Sequence, residues 1–178
     1  MAAVAIRTIP DPILRKKTER VHRVDEEVNK LANDLLDTLN EAQEPEGAGL
    51  AAPQLGVLKR IIVVREFLPD PKDPQKYFNQ DHVLINPKVI SSSKETQVIW
   101  EGCLSVPDTY GKVERPKKVK VKANDLEGNE LRLKATGYFS SVIQHEIDHL
   151  DGILFTDKVT GEMITEEELE KLGEEIVL

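Results

Sequence analysis

Apolar residues fall at helical spacing near the start of the chain, at Val28, Leu31, Ala32, Leu35 and Leu39. This spacing predicts an amphipathic helix over residues 25–43, with Asp25 as its N-cap. Residues 60–67 form an apolar, β-branched run that predicts a buried strand, and 83–85 and 97–100 read as further strands. Lysine alternates with valine or alanine over 118–123, and 130–134 alternates again. With the turn residues Asp125-Leu126-Glu127-Gly128 between them, the two segments predict a hairpin with one wet face. Its lysines are then a solvated face rather than a nucleic-acid patch. Phe139, Val142, Ile143, Ile147 and Leu150 return to helical spacing and predict a second helix with a buried side. Leu169 and Leu172 predict a short helix within the acidic tail 165–175. Between Glu66 and His82 runs a polar stretch with Pro69, Pro71 and Pro74, longer than most connections in a compact domain. It is expected to be a mobile surface insert, with a lid over a cleft as the alternative.

The second helix carries the sharpest chemical signal, Gln144-His145-Glu146-Ile147-Asp148-His149. Residues i and i+4 share a helix face, so the two imidazoles can converge on one cation, with Glu146 beside it to act on water. A surface helix rich in His and Glu is the bland alternative. Two histidines leave a hydrolytic centre one protein ligand short, because such centres use three and keep one position open. The chain has a single cysteine, Cys103, in Glu101-Gly102-Cys103-Leu104-Ser105. A lone cysteine forms no internal disulfide, which argues for a reducing compartment. By default it is a small buried hydrophobe. As a thiolate it suits Zn²⁺ or Fe²⁺, and Gly102 lets the backbone pass close to another group. A third segment, Gly47-Ala48-Gly49-Leu50-Ala51-Ala52-Pro53-Gln54, would alone read as a glycine-rich turn. Its glycines also admit an extended peptide, and the Gln54 amide could polarise a carbonyl.

Taken together, the patterns GxGLAAPQ, EGCLS and QHExDHLxG stand complete and in order at 47–54, 101–105 and 144–152. In this the chain resembles the peptide deformylases, metalloenzymes that remove the formyl group from the N-terminal methionine of new proteins. The resemblance includes Asp11-Pro12-Ile13-Leu14-Arg15 and continues to about residue 158. With the elements above it implies an α+β fold, antiparallel or mixed strands around a central metal-binding helix, in one domain spanning 1–178. The implied ligands are Cys103, His145 and His149, around one divalent ion. Fe²⁺ is favoured in the cell, although the donor set also accepts Zn²⁺, Ni²⁺ or Co²⁺. Glu146 is the implied general base, and Gln54 and the Leu104 backbone N–H stabilise the oxyanion. Gly47 and Gly49 flank the substrate backbone, with Gly49 binding its amide, while Ala48, Leu50 and Val142 help to form the methionine pocket. Glu101 is assigned a role behind the ligands, and Asp148 is expected to face away from the metal.

Two other classes remain open on the residues. A metalloprotease would need a third ligand downstream, where only Glu162 or the glutamates at 166–168 could serve. A closed structural metal would need His22 or His82 as fourth ligand. Both histidines sit in polar contexts that suggest exposure.

Composition narrows the setting. With 39% hydrophobic and 31% charged residues among 178, the chain reads as an ordinary globular domain with a real core. Nothing approaches the roughly 18 apolar residues of a membrane span, and residues 1–7 lack a secretory signal pattern. A net charge of −8 argues against general affinity for nucleic acid. A cytoplasmic monomer acting on nascent formyl-methionyl polypeptides is the expectation. Many bacterial members of the family it resembles carry a longer, basic C-terminal helix for ribosome docking. The short acidic tail here leaves only a transient ribosome contact.

Overall fold

The computed structural model describes residues 3–42 and 47–172, with 74 and 75 by backbone alone. The first helix, α1 (Glu26–Glu41), begins where expected, because the Asp25 carboxylate accepts from the Val28 N–H at 3.0 Å. The expected end at residue 43 lies outside the described residues.

Among the described residues seven strands follow the expected antiparallel logic: β1 (Gly49–Ala51), β2 (Ile61–Asp70), β3 (Asp73–Ser92), β4 (Thr96–Cys103), β5 (Val106–Pro116), β6 (Lys118–Asn124) and β7 (Glu130–Thr136). One sheet runs in the order β1-β2-β3-β6-β7, and β4 pairs with β5 in a second. The described residues also include the helices α2 (Gly137–Leu150) and α3 (Glu166–Leu172). None among the described residues is long and apolar enough to cross a membrane.

The continuous apolar run in β2 reflects burial on both faces. Ile61 and Val63 pack with α1, through Leu31, Leu35 and Leu39. Ile62 and Val64 point the other way, into the cluster that receives Phe139, Val142, Ile143 and Ile147 of α2. Successive strand side chains alternate, so a strand sandwiched between two helices loses its polar positions. Strands β6 and β7 keep only one buried face, and their lysines do point to water.

Three expectations need correction. The 66–82 stretch is no irregular insert: it is a two-stranded arm, with Glu66↔Gln80, Leu68↔Phe78 and Pro69↔Tyr77 in register. Backbone pairing does not require apolar side chains, and each strand of the arm has an open edge where proline removes no needed donor. Phe67 rests on Tyr138 at 5.9 Å between ring centroids, so the arm leans on the start of α2, and none of it lines the cleft described below. His82 is not exposed; it is half-buried against Phe139 and contacts Glu66 at 3.1 Å. Segment 49–51, read alone as a turn, is the edge strand β1, with Leu50 opposite Val63.

Candidate metal centre

Strand β4 and helix α2 meet where their motifs lie. Sulfur of Cys103 and the ring nitrogens of His145 and His149 all fall within 4.8 Å of one another. Cys103 Sγ is 3.2 Å from His149 Nε2, and the two imidazoles stand edge-on with centroids 5.0 Å apart. Both histidines are buried, as is most of α2, which packs into the core through Ile143, Ile147 and Leu150. His145 Nδ1 contacts Glu101 Oε2 at 3.0 Å, which directs its other nitrogen toward the sulfur. Glu101, fully buried, is in turn gripped by the Arg115 guanidinium through both carboxylate oxygens. Asp148 does face away from the cluster, and it binds Arg115 and Lys158, each at 2.8 Å.

The residues suit a divalent ion. One soft sulfur and two imidazoles converge, and three protein donors leave coordination incomplete, as a hydrolytic site requires. Glu146 Oε2 and His149 Nδ1 are buried without any hydrogen-bond partner. Buried polar atoms rarely go unsatisfied, so the carboxylate oxygen beside the cluster marks a place for a polar guest. No fourth ligand closes the cluster among the described residues: His22 is exposed and His82 belongs to the arm. The downstream glutamates do not join it either, and Glu168 instead accepts from the Thr165 N–H.

Charge in the cluster follows from burial. Burial pushes the Glu146 carboxyl up to about 7. Burial also opposes the charge of Glu101, but hydrogen bonds from Arg115 and His145 outweigh it and hold that carboxyl down at about 2. For His145, burial is outweighed by Cys103 and Glu101, and its pKa rises well above the ordinary value. His149, buried beside these cations, is driven well below. An ion entering the cluster would therefore displace the proton that His145 holds. In the metal-free protein Glu146 is expected to titrate at about 7, against 4.5 for an ordinary glutamate, and lower once a cation sits nearby. Carboxyl carbon-13 NMR, assigned with Glu146→Gln, reads both values; a midpoint near 4.5 without metal would contradict this picture.

Gln54 comes from the short 3-10 turn Ala52–Leu55 after β1. Its Oε1 accepts from the Ala51 N–H at 2.8 Å, so its amide nitrogen points at Ser105 Oγ, 3.1 Å away, and at Cys103 Sγ, 3.7 Å away. A cleft opens over these groups, and Gly47, Ala48, Gly49 and Leu104 line it with Cys103, His145 and Glu146. Gly49 has a second reason to lack a side chain, because a Cβ there would lie 2.6 Å from Glu146 Oε1. Gly102 likewise makes room for the Tyr110 ring.

Leu50 and Val142 are both fully buried: Leu50 belongs to the α1 cluster, and Val142 to the cluster that also holds Ala48, Ile62 and Val64. The cleft is also lined by Val106, Pro107, Asp108 and Tyr110 of β5 and by Glu166. Val106 and Pro107 directly follow the Cys103 motif, so adjacency could have found them. Arg115 left no signal, because only the pairing of β4 with β5 carries it to Glu101.

The polypeptide deformylase family model matches residues 3–163. A peptide deformylase of Finegoldia magna is 45% identical over 98% of this chain and 99% of its own length. One from Thermomicrobium roseum is 50% identical over 89% of this chain and 87% of its own. Among solved structures, a class I type b peptide deformylase from Acinetobacter baumannii with Met-Ala-Ser bound superposes with a TM-score of 0.78. It is 33% identical, covering 89% of this chain and 99% of that one. The chain therefore belongs to the polypeptide deformylase family, metal-dependent hydrolases that remove the N-formyl group from N-terminal formyl-methionine.

Proposed function

We propose that Cys103, His145 and His149 hold one divalent ion, Fe²⁺ in the cell, and that the chain deformylates nascent polypeptides as a monomeric, single-domain cytoplasmic enzyme. The observation that carries this reading is the unpartnered Glu146 oxygen beside an open Cys-His-His cluster. When bound, the ion supplies a Lewis acid that activates water and polarises the formyl carbonyl. Glu146 accepts the proton of the attacking water and returns it to the departing amine, a role that suits a carboxyl poised close to neutral pH. The Gln54 amide nitrogen and the Leu104 backbone N–H steady the negative charge that develops on the formyl oxygen. Gly47 and Gly49 leave the edge of β1 open to the substrate backbone, and Ala48 borders the methionine side chain. Met-Ala-Ser, bound by the Acinetobacter baumannii relative, has the free N-terminal methionine of a deformylated product, which supports the same occupant here.

Thiolate and imidazole together accept Zn²⁺, Ni²⁺ and Co²⁺ as well as Fe²⁺, and the family likeness is what favours iron. Contact with the ribosome is transient in this reading, since the tail 165–175 is acidic. The deciding experiment uses protein purified without oxygen, metal content measured on the same sample, and formyl-Met-Ala-Ser as substrate. Stoichiometric iron and formate release are expected. Cleavage of an unformylated peptide without formate release would instead establish a protease.

A further inference from the structure

We propose that Arg115 is a positioning residue that presets the metal ligands by tying the strand of Cys103 to the helix of both histidines. The inference rests on the metal reading above. Three guanidinium nitrogens are engaged: Nε and Nη2 with the two oxygens of Glu101, and Nη1 with Asp148 Oδ2 at 2.8 Å. Glu101 stands two residues before Cys103 on β4, and Asp148 lies between the histidines on α2. Because Glu101 also holds His145 at 3.0 Å, the contacts close a ring from Arg115 through Glu101 and His145, along the helix to Asp148, and back. A closed ring fixes both the separation of the two elements and the rotation of the His145 ring. The Arg115 side chain is 3% exposed, so water does not loosen it.

The planar fork is what makes this geometry. A guanidinium binds one carboxylate side-on and a second at a set angle, whereas an ammonium is a point charge that imposes neither. The fork thus fixes the strand against the helix, and Cys103 Sγ lies 3.2 Å from His149 Nε2. Groups behind a metal-binding imidazole typically change affinity by roughly 10–100-fold.

The test is Arg115→Lys, which keeps the charge and loses the fork. Circular dichroism and thermal unfolding of the metal-free protein check the fold. Chelator competition with Zn²⁺ is expected to show binding weakened by roughly 10–100-fold, and the visible spectrum of the Co²⁺ form should shift as the ligand geometry relaxes. With excess metal, KM for a formyl-Met peptide should stay at the wild-type value. Lys158→Met, which touches Asp148 outside the ring, should leave affinity unchanged. A folded Arg115→Lys protein with wild-type affinity and an unshifted Co²⁺ spectrum overturns the proposal. If Arg115→Lys does not fold, Asp148→Ala opens the ring at its least buried joint, where the side chain is 14% exposed, and unchanged affinity there overturns it equally. Failure of the wild-type protein to bind Zn²⁺ would instead overturn the metal reading itself.

Discussion

Glu146→Ala is expected to keep its metal and lose roughly 10²–10⁴ in kcat, the usual size of a general acid–base contribution. Glu146 is 2% exposed and lies against Gly49, with Oε2 unpartnered. Its removal takes away a proton carrier and leaves the three ligands in place. Glu146→Gln tests the same point without opening a cavity, and it should be nearly as inactive. Metal content and kcat measured on one sample decide the matter. A metal-free Glu146→Ala protein would make this residue a ligand, and an active one would dismiss it as the base.

The converse holds for Cys103→Ala, His145→Ala and His149→Ala. Each is expected to lose metal, and activity with it, because two remaining protein ligands hold a divalent ion poorly. Loss of affinity should exceed the roughly 10–100-fold typical for a group that only supports a ligand. Cys103 is the most telling of the three. It is only partly buried, so alanine there leaves a small gap and the fold should survive. Chelator competition together with thermal unfolding separates lost ligation from lost structure. A folded, metal-replete and active Cys103→Ala protein would sink the ligand assignment.

Periodicity carried the helices and the simplest hairpin because each reports a local rule. Asp25 and the apolar stripe of α1, and the alternation in β6 and β7, depend only on which side of one element meets water. The long arm of β2 and β3 was invisible for the opposite reason. It buries little, so its side chains carry no alternation, and its prolines look like those of a loop. Strand β5 was missed likewise, since Pro107, Gly111 and Pro116 interrupt its pattern while pairing with β4 holds it extended.

Chemistry shows the same division. By itself the sequence determined the donor types on offer, one thiol and two imidazoles, the i, i+4 spacing of His145 and His149, and the motif set that marks the family. Covalent order and helix geometry are enough to put two imidazoles on one face. Only the tertiary structure decided that Cys103 reaches them, that Leu50 and Val142 turn into the core, and that Arg115 clamps Glu101 to Asp148. Those outcomes depend on the register between β4 and β5 and on how α2 packs against the sheet. Both are set by contacts between residues far apart in the chain, which no local spacing encodes.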